Sequence, residues 1–215
     1  MKYRFVIFDM DGTVLDTLED LHLSLNAALS LSHLPSRTLE ETRQFVGNGM
    51  WKLIERAVPT ETAQDIRERV YRDFTQHYQL HCADHTHPYF GIPAFLRELR
   101  AYGIGTAVVS NKNDDAVRQL CERYFAGLFD FATGYREPFS RKPSPDLVEL
   151  AMRTLHAKKE ETIYVGDSEV DIETAQNTGI ECISVTWGFR SSVLLMEKGA
   201  KHICNSTSDL WRVLQ

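Results

Sequence analysis

Three acidic side chains crowd the segment IFDMDGTVLDT, residues 7–17, behind a short apolar run that predicts a buried strand. They are Asp9, Asp11 and Asp16. Like charges at this spacing repel one another, so the cluster costs stability unless a cation, a proton or a shifted pKa relieves it. A single pair of aspartates after a strand is also typical of a solvated turn. The segment alone therefore leaves open a catalytic or metal site and a plain turn.

More chemically capable side chains follow other predicted strands or come just before a predicted helix. They are Ser110, Asn111 and Lys112 after GTAVV, Lys142 before a helix, and Asp167 and Asp171 after TIYV. Ligands of parallel α/β sheets bind outside the carboxyl ends of the strands, so we expect these residues to meet there. Carboxylates, a hydroxyl and an ammonium together suit a divalent cation and a phosphate far better than an apolar ligand.

The remaining sequence predicts the elements that position these residues. From Gly91 onward, short β-branched runs alternate with amphipathic helical patterns, and YRFVIF adds one strand near the start. The region between is helical in pattern, and Asp16 with Glu19 forms a capping-box-like helix start. We expect an α/β fold with a doubly wound, mostly parallel, Rossmann-like sheet from residues 1–15 and 88–215, and an inserted α-helical cap from residues 16–87.

Composition and charge restrict the class of protein. The chain has 215 residues, of which 43% are hydrophobic and 25% charged, and its formal net charge is −6. This acidic balance disfavours nucleic acid and anionic membranes as partners, and no apolar run approaches membrane-spanning length. The first residues meet acids after four apolar positions, unlike a signal peptide, so we expect a cytoplasmic protein. The four widely spaced cysteines are expected to be isolated packed thiols.

A loose histidine group in HCADHTH offers His81, His85 and His87 as candidate zinc ligands. The group lies near the predicted return from the cap to the core and lacks a well-formed ligand helix, so we do not expect this set to bind zinc.

The motifs DMDGT, Ser110, Lys142 and GDSEVD, in this order and spacing, resemble the haloacid dehalogenase superfamily over almost all of the chain. The similarity is to its phosphatases with an inserted helical cap. The segments FVGNGMWKLIERAV, AVVSNK, RKPSPD and YVGDSEVDI look most like the phosphoglycolate phosphatase branch.

This resemblance implies a Mg²⁺-dependent phosphatase that hydrolyses a small phosphate monoester through an aspartyl-phosphate. It implies that Asp9 is the nucleophile and that Asp11 is the acid and base, with Ser110 and Lys142 completing the catalytic set. The implied metal set is Asp9, Asp11 through its backbone carbonyl, Asp167 and, as support, Asp171. The implied substrate contacts in the core are Gly12, Thr13, Ser110, Asn111 and Lys142.

A glycine-rich stretch in the predicted cap is the candidate specificity loop. Gly47, Asn48 and Gly49 stand at the start of a predicted helix, where backbone N–H groups could face a small carboxylate such as that of 2-phosphoglycolate. A plain turn between two helices is the alternative.

The residues alone leave several other functions, and other roles for single residues, as alternatives. A haloacid dehalogenase has no need for the acid at Asp11, and the usual Arg-Glu-Asp cap stretch of a sugar phosphomutase is not seen at VGNGMWKLIER. Pyrophosphatase and nucleotidase activity remain alternatives, as does a non-catalytic phosphate-dependent interaction module. Asp171 could cap a helix, Ser110 could be an N-cap and Lys142 could be a surface lysine. We expect a small phosphorylated substrate and a monomer or weak homodimer.

Overall fold

The computed structural model describes residues 2–215, which divide into two compact units. One unit comprises the chain up to Leu15 together with Pro88–Gln215, and the other is Asp16–His87. We refer to them as the α/β unit and the helical unit. The two chain connections carry the short strands β2 (Leu15–Asp16) and β3 (His87–Pro88), which pair with each other.

The α/β unit contains a six-stranded parallel sheet with the order β5-β4-β1-β6-β7-β8. Its strands are β1 (Phe5–Phe8), β4 (Gly105–Asn113), β5 (Phe131–Tyr135), β6 (Thr162–Gly166), β7 (Glu181–Val185) and β8 (His202–Cys204). The chain runs outward from β1 to β5 on one side and then returns beside β1 to continue in the other direction. This reversal of strand order is the topological switch point of a doubly wound sheet, so the predicted α/β fold is confirmed.

The helices of this unit follow the strands in alternation. They are α5 (Ile92–Ala101), α6 (Asp114–Phe125), α7 (Asp146–Thr154), α8 (Glu169–Thr178), α9 (Ser192–Glu197) and α10 (Thr207–Leu214), with a 3₁₀ turn at Lys159–Glu161. The central strands are continuous apolar runs because helices cover the sheet. Ile7, Ala107 and Tyr164 from three strands pack with Leu147 and Ala151 of α7 in one buried cluster.

The helical unit contains α1 (Leu18–Leu31), α2 (Leu39–Phe45), α3 (Met50–Ala57) and α4 (Gln64–His81). On α4, Val70, Phe74 and Tyr78 are buried at a spacing of four residues, which places them on one face. Asp20 of α1 is also buried, and its carboxylate accepts hydrogen bonds from the backbone N–H groups that follow α4, at 2.8–3.1 Å. A carboxylate with paired backbone donors avoids the cost of burying an unsatisfied charge.

Two local predictions are wrong. The first is the capping box at Asp16 and Glu19: the N-cap of α1 is Thr17, without a side-chain cap bond, and Asp16 accepts from Leu18 N at 3.3 Å. The second is the end of the GTAVV strand before Ser110: β4 continues to Asn113, so Ser110 lies within the strand. Asn113 is the N-cap of α6, which excludes the alternative that Ser110 caps this helix. The pairing register between β4 and β5 shifts between Val109 and Asn113, so the end of β4 is irregular. The sequence pattern of a regular strand therefore does not extend over this part of β4.

All four cysteines are free, and three of them are buried, as expected for packed thiols. Within residues 2–215, no helix combines the length and the apolar character needed to cross a membrane.

Candidate active site

The predicted site residues of the α/β unit converge because three neighbouring strands are parallel and in register. Phe8, the last residue of β1, is paired with Val108 of β4 on one side and Val165 of β6 on the other. The chain segments that continue from these positions carry Asp9 to Thr13, Ser110 to Lys112, and Asp167. The strand order therefore assembles residues from three distant parts of the sequence at one edge of the sheet.

Three buried carboxylates form the centre of this edge. Oxygens of Asp9, Asp167 and Asp171 lie within 4.8 Å of one another. Burial raises the pKa of Asp9 well above its ordinary value, an effect that Lys142 opposes and the two neighbouring acids reinforce. Burial, and then the charge of Asp171, raise the pKa of Asp167 to about 7. A cation would relieve this repulsion, and a set of oxygen donors alone is what Mg²⁺ prefers, so these residues fit a hard divalent cation.

A buried ammonium joins two of the carboxylates. Lys142 Nζ lies 2.8 Å from Asp9 Oδ1 and 2.8 Å from Asp171 Oδ1, and it donates to the Tyr164 hydroxyl at 3.0 Å. Burial acts to lower the Lys142 pKa, but the charges of Asp171 and Asp9 outweigh it, so the pKa lies well above its ordinary value. Lys142 is therefore a fixed positive charge beside the Asp9 carboxylate, and it is not a surface lysine.

Asp171 both caps a helix and supports Lys142. Its Oδ2 accepts from Ser168 Oγ at 2.7 Å and from the backbone N–H groups of Asp167 and Ser168, which makes a capping box at the start of α8. Its Oδ1 contacts Lys142. These contacts give Asp171 a structural role at the site, because they hold both the start of α8 and the Lys142 ammonium.

The Asp167 carboxylate is held by donors and enclosed by two glycines. Its Oδ1 accepts from Thr13 Oγ1 at 3.0 Å, and its Oδ2 accepts from Phe189 N at 2.8 Å. A Cβ on Gly12, whose φ is +85°, would overlap the Asp167 carboxylate, and a Cβ on Gly188 would overlap the Gly12 carbonyl and Asp167. Only glycine fits at either position without moving Asp167.

Asp11 stands apart from the carboxylate cluster and pairs with a second buried lysine. Lys112 Nζ lies 3.0 Å from Asp11 Oδ1, with the lysine side chain 2% exposed and the aspartate side chain 16% exposed. The sequence predicts Lys112 at this edge without a role, although its position two residues after Ser110 in a strand indicates that the two side chains share a face.

The neighbouring side chains of β4 organise the backbone. Ser110 is buried, and its Oγ accepts from Lys112 N at 3.2 Å. The Asn111 amide donates to the Lys142 carbonyl at 3.1 Å and accepts from Lys142 N at 2.7 Å. The Asn111 side chain thus fixes the segment that carries Lys142, and a phosphate contact from Asn111 would come from its backbone.

The predicted specificity loop lies in the helical unit, between α2 and α3. Gly47 and Gly49 have φ values of +124° and +85°, and Gly49 is the N-cap of α3. Asn48 Oδ1 accepts from Arg56 at 2.7 Å, and the same guanidinium donates to the Phe45 carbonyl at 2.8 Å. The loop is therefore built by glycine conformations and by one arginine of α3, and its contact with substrate stays a prediction.

Several groups that shape the site are not among the site residues predicted from the sequence. They are Lys112, Tyr164, Gly166, Gly188 and the backbone N–H of Phe189. Gly166 is required because a Cβ there would overlap Asp171. The contacts of Lys112, Tyr164, Gly188 and Phe189 join different elements of the fold, whereas Gly166 lies in the same motif as Asp171, five residues before it.

The doubly wound sheet and its acidic edge are the arrangement of a known family of hydrolases. Residues 6–185 match the family described as haloacid dehalogenase-like hydrolase, and the chain belongs to this family. It is therefore an enzyme.

The chain is also similar, over most of its length, to individual proteins of this kind. It is 31% identical over 219 residues to a phosphoglycolate phosphatase of Chromobacterium violaceum, covering 99% of this chain and 96% of that protein. It is 35% identical over 189 residues to a phosphoglycolate phosphatase of Cereibacter sphaeroides, covering 86% of each chain. A solved structure described as a putative phosphoglycolate phosphatase from Lactobacillus delbrueckii subsp. bulgaricus superimposes with a TM-score of 0.94 at 36% identity, covering 100% of this chain and 99% of that one.

Gly12→Ala should abolish activity because the new methyl group displaces the Asp167 carboxylate. Gly103→Ala is the matched control, since Gly103 has φ +70° and nothing within 4 Å of its Cβ position. Both changes introduce backbone strain of about 1 kcal/mol, which urea unfolding would measure. Phosphate-release assays should show activity lost only in Gly12→Ala. Equal activity in the two variants would mean that the close approach of Gly12 to Asp167 is unimportant.

Proposed function

We propose that the protein hydrolyses a small phosphate monoester by transferring the phosphoryl group to Asp9 and then to water. The observation that carries this proposal is the contact of Asp9 with the buried Lys142 ammonium at 2.8 Å, beside Asp167. Carboxylates can act as covalent nucleophiles, and positive groups around them offset repulsion from an incoming phosphate dianion. The similarity to phosphoglycolate phosphatases supports 2-phosphoglycolate as the preferred substrate.

The reaction has two displacement steps. In the first, a carboxylate oxygen of Asp9 attacks phosphorus, the bond from phosphorus to the ester oxygen breaks, and Asp11 gives its proton to the leaving alkoxide. In the second, Asp11 takes a proton from water as the water oxygen attacks phosphorus. The acyl phosphate bond breaks, inorganic phosphate leaves, and both aspartates return to their initial states. Lys112 holds the Asp11 carboxylate in place at 3.0 Å during these proton transfers.

Lys142 and the polar groups around it orient the phosphate. The ammonium is fixed by Asp171 and Tyr164, so it offers a positive charge to phosphate oxygens without having to reorganise during the reaction. We assign to the Ser110 hydroxyl a hydrogen bond to the same phosphate oxygens.

The metal in this proposal is Mg²⁺, held by the side chains of Asp9 and Asp167 and by the backbone carbonyl of Asp11, with Asp171 in support. When bound, Mg²⁺ supplies charge neutralisation between the Asp9 carboxylate and the phosphate. Thr13 and Phe189 hold Asp167 in the orientation that this ligand set needs.

Discrimination among esters must come from groups that meet the leaving portion, since every candidate substrate carries the same phosphate. We assign this role to the Gly47–Gly49 loop, whose backbone N–H groups suit a small carboxylate. A broad screen of phosphate esters separates this assignment from nucleotidase, pyrophosphatase and phosphomutase activities.

Asp9→Asn should lower turnover by at least about 10³-fold, because an amide cannot form the acyl phosphate. Asp16→Asn is the matched control. It changes a neighbouring aspartate, and asparagine keeps the acceptor for Leu18 N. Phosphate release and circular dichroism should show a folded but inactive Asp9 variant and an active Asp16 variant. Turnover near the wild-type level in Asp9→Asn would exclude Asp9 as the nucleophile.

Chelation of divalent cations should stop phosphate release, Mg²⁺ should restore it, and Ca²⁺ should restore it poorly. Mg²⁺ demands tight octahedral coordination, whereas the larger Ca²⁺ accepts more ligands at longer distances and can engage both oxygens of Asp9. Steady-state assays in metal-free buffer with each cation added back make the comparison. Full activity after exhaustive chelation would contradict the metal mechanism.

Gly49→Val should reduce kcat/KM for 2-phosphoglycolate by about tenfold or more, because a β-branched residue is strained at a φ of +85°. Turnover of a generic aryl phosphate should change much less. Gly127→Val, at a φ of +70° in open space, controls for strain alone and should leave the substrate ranking unchanged. A parallel loss of both activities in Gly49→Val would indicate a structural turn.

A wild-type preference for a hexose phosphate or pyrophosphate would reject the substrate assignment and retain the aspartyl-phosphate reaction.

A further inference from the structure

Two histidines on α4 of the helical unit stand next to each other. His77 and His81 are four residues apart, which places them on one face of the helix. Their ring centroids are 4.3 Å apart and the ring planes are inclined by 30°. The helix continues to His81, so both imidazoles project from regular backbone.

Each ring is oriented by a hydrogen bond at the same nitrogen. His77 Nδ1 lies 3.0 Å from Ser24 Oγ of α1, and His81 Nδ1 lies 2.7 Å from Asp84 Oδ2. A carboxylate accepts, so His81 carries its proton on Nδ1, and the serine hydroxyl can accept from His77 in the same tautomer. In that tautomer Nε2 of each ring carries no proton, so its lone pair can bind a metal ion.

Two features of this pair, the spacing along the helix and the hydrogen bonds at Nδ1, are shared with histidines that bind metals. Histidine ligands of metals commonly donate their second ring nitrogen to a carboxylate or another acceptor, which fixes the tautomer and the ring orientation. Two histidines four residues apart on a helix supply two adjacent nitrogen ligands, the same spacing that holds zinc in helical metalloprotease motifs. Burial, and then the charge of neighbouring His81, lower the pKa of His77, which favours the neutral ring that a metal requires.

We propose that His77 and His81 form a second metal site, which binds a Zn²⁺-class cation through the two Nε2 atoms, with water in the remaining positions. Imidazole nitrogen suits Zn²⁺, Ni²⁺ and Cu²⁺, whereas the carboxylates of the α/β unit suit Mg²⁺. The two sites therefore differ in ligand chemistry and lie in different units.

The site also differs from the histidine set that the sequence suggested. His85 contacts Glu19 at 3.7 Å and its backbone N–H donates to Asp20 at 2.9 Å. Of the HCADHTH histidines, the site therefore uses only His81, together with His77 one helical turn earlier.

The test measures Zn²⁺ binding to the full chain by calorimetry and by thermal unfolding. Excess Mg²⁺ is present so that it occupies the carboxylate site. Wild-type protein should bind Zn²⁺ and unfold at a higher temperature in its presence, because a ligand that binds the native state stabilises it. His77→Gln and His81→Gln should lose both effects. Asp84→Asn should weaken binding by about tenfold, as removal of an orienting carboxylate does.

His85→Gln and His87→Gln are the matched controls and should bind Zn²⁺ as the wild type does. Nitrogen NMR of the histidine rings in the folded wild-type protein gives a readout that does not depend on the stability of any variant. Zn²⁺ should shift Nε2 of His77 and His81 in particular. The absence of wild-type binding, unchanged binding in His81→Gln, or Zn²⁺-induced shifts confined to other histidines would each overturn the proposal.

Discussion

The buried ion pair network of Lys142 is the interaction on which the rest of the site depends. One ammonium contacts Asp9 and Asp171, each at 2.8 Å, in a region where an unpaired charge of either sign would be strongly unfavourable. Asp171 in turn caps α8, and Asn111 fixes the backbone of Lys142. The same contacts that make the buried charges tolerable also set the position of the proposed nucleophile.

The geometry around Asp167 shows how tight packing and two neutral hydrogen-bond donors position a buried carboxylate. Gly12 and Gly188 leave no room for a Cβ beside it, while Thr13 and the Phe189 backbone donate to its two oxygens. The pKa of Asp167 is raised to about 7 because burial and Asp171 disfavour its charge, and a bound cation would reverse that preference. Either a proton or a bound cation therefore relieves the repulsion at this site.

The sequence predicted the sheet because its strands are short apolar runs between amphipathic helices, and it predicted the acidic edge because motif residues follow those runs. Three C-terminal elements, α9, β8 and α10, were not assigned, since β8 has three residues and α9 has six, too short for a clear period. Lys112 was missed as a site residue because its partner, Asp11, lies about 100 residues earlier in the chain. Gly188 was missed because its role comes from close contact with Gly12 and Asp167, which lie on other elements. The pair of His77 and His81 was not predicted because His77 lies outside the HCADHTH segment.

The central claim is that the phosphoryl group passes through Asp9. The most direct measurement is rapid acid quenching of the enzyme during turnover of a small phosphate ester, followed by peptide mass mapping. The account predicts one phosphoryl group on the peptide that contains Asp9 in the wild-type enzyme, and none in Asp9→Asn. Turnover without any phosphorylated peptide, or a phosphoryl group on a different residue, would contradict it.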